Sequence, residues 1–246
     1  MAGHSKWSNI KHKKGKTDAQ RGKIFTKIGR EIAIAVREGG SDPNVNSKLK
    51  DVIAKARANN MPNENIMRSI KKAAGEIGSV SYEEITYEGY GPEGVAIIVE
   101  AVTDNRNRTA GEMRHIFDRS GGSLGATGCV AWMFERKGVL VIEKKDEIDE
   151  EELMLCSLEA GAEDFIDNED VYEIIADPSS FSNVRESLEK GGFSFISAAV
   201  EMIPQNTVSL DDEGTNKVLS LIEKLEDHDD VQNVYHNMEL KDETSA

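Results

Sequence analysis

Apolar positions in the first third of the chain recur every three or four residues. Ile24, Phe25, Ile28, Ile32, Ala35 and Val36 share one face of a helix that Asp18 can cap and that Gly39-Gly40 ends. Lys23, Lys27, Arg30 and Arg37 fall on nearly the opposite face, and Ile34 falls among them as an expected exposed apolar contact. A second helix is predicted from Asn46 to Asn59, with Leu49, Val52, Ile53 and Ala56 inward and Lys48, Lys50, Lys55 and Arg57 outward. Met61-Pro62 breaks it, and Asn63 is expected to cap a third helix with Ile66, Met67, Ile70 and Ala74 inward. Three short amphipathic helices with brief connections make a small bundle. Ahead of them Met1–Lys16, whose only large apolar residues are Trp7 and Ile10, reads as an irregular arm.

From Tyr82 the period changes to that of strands alternating with helices. Strands are predicted at Val95–Val102, Cys129–Phe134, Val139–Ile142, Asp164–Asp167, Tyr172–Ala176, Phe193–Met202 and Val231–Tyr235. Helices are predicted at Ala110–Asp118, Glu150–Ala160, Phe181–Lys190 and Asp211–Leu225. From Val139 to Met202 the order is β-α-β-β-α-β, the split βαβ pattern of ferredoxin-like folds. The expected class is therefore α+β: an N-terminal three-helix domain (residues 1–78) followed by two α/β domains. The second spans 79–136 plus 204–240, the third is ferredoxin-like and inserted at 137–203, and 241–246 is a polar tail.

Charge changes this picture most. Up to Gly75 the chain has 17 Lys and Arg against 6 Asp and Glu, a net of +11. The remainder carries 13 against 39, a net of −26, so the overall −15 conceals a basic module. Such segregation points to a polyanion partner for one segment. No apolar run approaches the roughly 20 residues of a membrane helix. Met1–Gly22 lacks a signal-peptide core, and the two cysteines, Cys129 and Cys156, suggest neither a disulfide framework nor a metal cluster. The expected location is the cytoplasm.

The candidate nucleic-acid contacts are Lys6, Lys11, Lys13, Lys14, Arg21, Lys23, Lys27 and Arg30, because phosphates demand dense, reachable positive charge. Trp7 among them is a candidate stacker for a base. The Tyr87–Gly94 segment is glycine-rich and precedes a strand, so it reads as a loop with two exposed tyrosines rather than a phosphate-binding loop. Gly121–Gly128 reads as a flexible loop into a strand. Tyr90, Arg106 and Arg108 are candidates for a secondary contact, and Asp104 or Asn105 is expected to cap the helix that Arg106 and Arg108 enter. Catalytic sets are missing: the five histidines, His4, His12, His115, His228 and His236, show no metal-binding spacing outside the arm. No enzyme activity, cofactor, metal, small-molecule substrate or membrane partner is expected.

Several long motifs, in order, resemble one family. Gly3-His4-Ser5-Lys6-Trp7, Asp18–Lys27, Gly39–Pro43, Asn59-Asn60-Met61-Pro62, Tyr87–Pro92, Thr103–Thr109 and Val130–Phe134 look like the YebC family over essentially the whole chain. That family includes bacterial proteins labelled probable transcriptional regulators and a mitochondrial translational activator of cytochrome oxidase. The resemblance implies a helical N-terminal domain plus two α/β domains, and two routes of action. One is DNA-binding regulation of transcription; the other is a ribosome-associated translation factor that binds ribosomal RNA and relieves stalled translation. Two departures stand out: Glu93 occupies a position where the family usually has Gly, and Cys129 one where it often has Ser.

On this reading, charge reversal at Lys23 and Lys27 is expected to weaken polyanion binding and its salt dependence without unfolding the chain. Unchanged salt dependence in a titration would make that face a merely solvated one.

Overall fold

A computed structural model of the chain describes Trp7, residues 19–75, Gly78 and residues 81–240. In chain order the elements open with α1 (Ala19–Gly39), α2 (Ser47–Ala58), α3 (Asn63–Ala73), β1 (Glu83–Tyr90), β2 (Ala96–Thr103), α4 (Arg106–Arg119) and β3 (Ser123–Leu124). They continue with β4 (Phe134–Glu143), α5 (Glu150–Glu159), β5 (Ala162–Asp167), β6 (Val171–Ala176), α6 (Phe181–Lys190) and β7 (Ser197–Pro204). The last are α7 (Asp212–Asp227) and β8 (Val231–His236). Seven helices among the described residues and two four-stranded antiparallel sheets make the protein α+β. The chain forms two compact units. The described residues of one are Trp7, Met133–Thr207 and 239–240; those of the other fall in 19–132 and Val208–Met238.

In the latter unit α1, α2 and α3 share a core of Ile28, Ile32, Ala35, Val36, Leu49, Val52, Ile53, Ala56, Met61, Ile66 and Ile70. Its connection turns on one buried side chain. Asn46 caps α2 by accepting from the Leu49 N–H at 3.0 Å, and its amide donates to the Ala35 and Gly40 carbonyls at 2.8 Å each. Gly39 has to be small here, because a Cβ would lie 2.7 Å from the Asn46 amide carbon, and Gly40 takes the left-handed φ of +82° that ends α1.

Three expectations for these helices are corrected. Ile34 is 1% exposed rather than an open contact, since α1 is covered on its charged side as well. Met67 is 52% exposed and Ala74 is exposed, since the third helix turns only Ile66 and Ile70 fully inward. The cap position of α3 is Pro62, which makes no side-chain bond, and Asn63 is the first helical residue.

The same unit carries the sheet β3-β1-β2-β8. The glycine-rich segment expected as a loop is largely strand. Tyr87 through Tyr90 pair with β2, Tyr87 is buried, and Tyr90 is half-buried. Gly89 belongs in that strand because a Cβ there would meet the Ser123 carbonyl oxygen at 2.5 Å. Glu93 holds a left-handed φ of +57°, a conformation that suits the Gly usual at this position in the family the sequence resembles.

The other unit runs β4-α5-β5-β6-α6-β7 with sheet order β5-β6-β4-β7, the ferredoxin-like arrangement that the sequence pattern predicts. Helices α5 and α6 cover one face through Leu153, Phe181, Val184 and Leu188 on Leu140, Ile142, Tyr172 and Ile174. Two strand boundaries differ from expectation. Residues 129–133 form a turn and a 3-10 helix, and a single strand runs unbroken from Phe134 to Glu143, through Gly138, which leaves room for the Phe181 ring. β7 starts at Ser197 rather than Phe193, because the Phe193 N–H closes the end of α6 on the Leu188 carbonyl at 3.0 Å.

Asn46→Ala is expected to destabilise the protein by about 1–3 kcal/mol, from the lost cap and two unpaired carbonyls. A chemical denaturation curve checks it, with the midpoint falling and the slope unchanged.

Candidate nucleic-acid interface

Lys23, Lys27, Arg30, Ile34 and Arg37 follow one another at spacings of three or four, so the helix stacks them in one row. The structure engages this row with the acidic segment that leads from α7 into β8. Lys23 Nζ pairs with the Asp227 carboxylate and Lys27 Nζ donates to the Glu226 carbonyl at 2.7 Å. Arg30 donates to the Val102 carbonyl at 3.1 Å, the Asp229 carbonyl at 2.7 Å and the Asp230 carboxylate at 2.6 Å, and Arg37 donates to the Tyr82 carbonyl. The Asp227 hydrogen bond raises the Lys23 pKa, whereas burial lowers that of Lys27 against the pull of Glu226 and Asp229.

Asp230 is the centre of this arrangement. Its side chain is 3% exposed and accepts from Arg30 at 2.6 Å, from Arg108 at 2.8 Å and from the Thr109 hydroxyl at 2.7 Å. Burial opposes the charge, but the Thr109, Arg108 and Arg30 hydrogen bonds outweigh it and hold the carboxyl down at about 2. α4 supplies Arg108 and Thr109 from its first turn, which Asn105, not Asp104, caps by accepting from the Arg108 N–H at 3.1 Å.

The other candidates are dispersed. Trp7 is half-buried, donates from Nε1 to Asp170 at 3.2 Å and packs on Val139, Val141, Val171 and Ile175. Lys6, Lys11, Lys13 and Lys14 lie outside the described residues, and Arg21 is described only as backbone of α1. Arg106 is exposed and 3.6 Å from Glu83. The Tyr90 hydroxyl donates to the Cys129 carbonyl at 3.3 Å.

Other exposed cations sit on α2 and α3. Arg68, Lys71 and Lys72 project from α3 and Arg57 from the end of α2. All four are exposed, and their side chains make no ion pair or hydrogen bond among the described residues. Met67 stands beside them. Spacings of three and four in Arg68, Lys71 and Lys72 are a signal the sequence carries, overshadowed there by the denser lysines upstream.

Glu112, His228 and Asp230 bring three ligand atoms within 4.8 Å of one another. Both Asp230 oxygens already face guanidinium groups, whose charge opposes a cation, and His228 Nε2 is 2.8 Å from Glu112. This donor set suits the two arginines better than a metal. Among the described residues no helix is long and apolar enough to cross a membrane.

A basic helical module followed by two antiparallel α/β sheets defines the class. Residues 5–76 match the TACO1/YebC protein N-terminal domain, and residues 82–238 match the TACO1/YebC second and third domain. The chain belongs to the TACO1/YebC family. It is 67% identical over 241 residues to a protein of Acetivibrio thermocellus, covering 96% of this chain and 98% of that one. A protein of Caldicellulosiruptor saccharolyticus is 64% identical over 239 residues, covering 97% and 99%. Both relatives are named "Probable transcriptional regulatory protein". A crystal structure of a conserved hypothetical protein from Aquifex aeolicus superposes with a TM-score of 0.83 at 47% identity, over 94% of this chain and 95% of that one.

Asp230→Ala is expected to cost about 1–3 kcal/mol, because Arg30 and the Thr109 hydroxyl lose their buried charged acceptor, whereas Arg108 is 43% exposed and keeps Asp104 at 3.0 Å. An unfolded Asp titrates near 3.9. As pH falls the unfolded chain therefore takes up this proton first, and stability from Asp230 is lost as pH drops from about 4 towards 2. Thermal melts across that window should be less acid-dependent in the variant.

Proposed function

We propose that this member of a family of named transcriptional regulators is a DNA-binding regulator of gene expression. It acts in the cytoplasm, without cofactor or small-molecule substrate. The observation that carries the reading is the exposed set of Arg68, Lys71 and Lys72 on α3, with Arg57 exposed at the end of α2, on a packed helical module in a chain whose net charge is −15. A polyanion has reason to settle there and be repelled elsewhere. Lys6, Lys11, Lys13, Lys14 and Arg21 extend the same basic segment in sequence and supply further phosphate contacts. Lys23, Lys27 and Arg30 are held by the chain's own acidic segment and serve mainly to position α1. Arg68, Lys71 and Lys72 span little more than one helical turn. So short a cationic set suits phosphate contact, which adds affinity, more than the reading of a run of bases.

The test is binding to duplex DNA across a salt series. Reversing Arg68, Lys71 and Lys72 to Glu is expected to flatten the log–log salt slope by about 2.7 if each makes one phosphate contact. An unchanged slope removes this row from the interface. In-cell crosslinking that recovers ribosomal RNA and little DNA would replace the DNA reading with the translation-factor one.

A further inference from the structure

Trp132 is 67% exposed, an unusual place for the largest apolar side chain. Its ring is nonetheless tethered. The indole N–H donates to the Cys129 carbonyl at 3.1 Å, and the Tyr90 hydroxyl donates to the same oxygen at 3.3 Å. The turn that carries it is pinned from below. The Glu88 carboxylate, buried on β1, accepts from the N–H groups of Gly128 at 2.7 Å, Val130 at 2.9 Å and Ala131 at 2.8 Å. The Glu88 carbonyl accepts from Gly125 at 2.8 Å, and the Cys129 N–H closes on the Ala126 carbonyl at 3.1 Å. A loop that the sequence suggests is flexible is thus tied at five points to β1 and to itself.

The indole has spent its only polar atom inside the protein and presents its ring to solvent. The exposed residues before it, Gly125, Ala126, Thr127 and Gly128, are small, and a Cβ on Gly128 would meet nothing within 4 Å. A docking face for a protein is a contiguous apolar patch; here one flat ring stands among small residues, which suits another flat ring. Cations stand at the root of the same loop. Arg119 ends α4, is exposed and has no partner among the described residues, and Lys224 Nζ donates to the next residue, Ser120, at 3.3 Å.

We infer that Trp132, held by the Glu88-pinned turn, is a stacking platform for an unpaired nucleobase of a single-stranded nucleic acid. This rests on the nucleic-acid reading above and adds to it a second site, with a different ligand state. A preset ring loses little freedom on binding, so stacking adds directly to affinity.

The experiment compares full-length wild type, Trp132→Ala and Trp132→Phe. The probes are a 12-nucleotide single-stranded DNA, the same sequence as RNA, and the duplex DNA. The alanine variant is expected to bind the single strands about 5- to 150-fold more weakly, with an unchanged salt slope and unchanged duplex binding. The phenylalanine variant, which also lacks the N–H but keeps a ring, should recover most of the loss. A larger loss with RNA or with DNA identifies the source of the base. If Trp132→Ala binds single strands as wild type does, while the Arg68, Lys71 and Lys72 reversal still flattens the duplex salt slope, the platform is overturned and the DNA reading stands. If wild type binds none of the three probes, both fall.

Discussion

A carboxylate removed from water must be answered by charge or hydrogen bonds, and Asp230 is answered three times. Arg30 reaches it from α1, and Arg108 and Thr109 reach it from the start of α4. The backbone of the same residue is tied too, since its carbonyl accepts from the Val102 N–H at 2.8 Å and its N–H donates to His228 Nδ1 at 3.1 Å. One buried anion thereby fixes the helical module, the C-terminal end of β2, the α4 N-terminus and the entry to β8 in a single arrangement. A hydrophobic contact at this point would hold them together less directionally, because burial by itself imposes no angle.

That arrangement also sorts the positive charge. The α1 row is opposed by Glu226, Asp227, Asp229 and Asp230, so its cations are partly neutralised where they sit. The α3 row has no such counterpart among the described residues. In a strongly acidic chain this difference decides where an incoming polyanion gains most. Phosphates that meet Arg68, Lys71 and Lys72 can release their own condensed counterions, whereas an anion at Lys23 has to displace a carboxylate already in place. Glu88 plays a parallel part in the glycine loop. Its carboxylate fills, from within the chain, the anion position that three converging N–H groups create, and against the cost of burial those hydrogen bonds lower its pKa.

Much of the fold was readable from the sequence because it rests on local rules. Leu49, Val52, Ile53 and Ala56 recur at helical spacing and are buried as that spacing demands. The β-α-β-β-α-β order from β4 to β7 was visible because each strand is a short apolar run between turn residues. Failures occurred where a distant contact overruled local composition. Gly89 sits in a strand because the Ser123 backbone comes close to it, a contact across 34 residues that leaves no mark in the Tyr87–Gly94 segment itself. Ile34 is buried because a second surface covers α1, and Trp7 is engaged because Asp170 lies beside it.

Elements, their inward faces and the presence of a basic module were set by the chain itself, since periodicity, caps and charge counts are properties of neighbouring residues. Tertiary structure alone decided which cations stay available and which aromatic ring is displayed. Lys27 and Arg68 look equivalent as letters, and so do Trp7 and Trp132. They differ in what the fold brings within about 3 Å of their polar atoms. Asp230 lies 200 residues from Arg30. The electrostatic identity of α1 is therefore set by a partner that no local window of sequence contains.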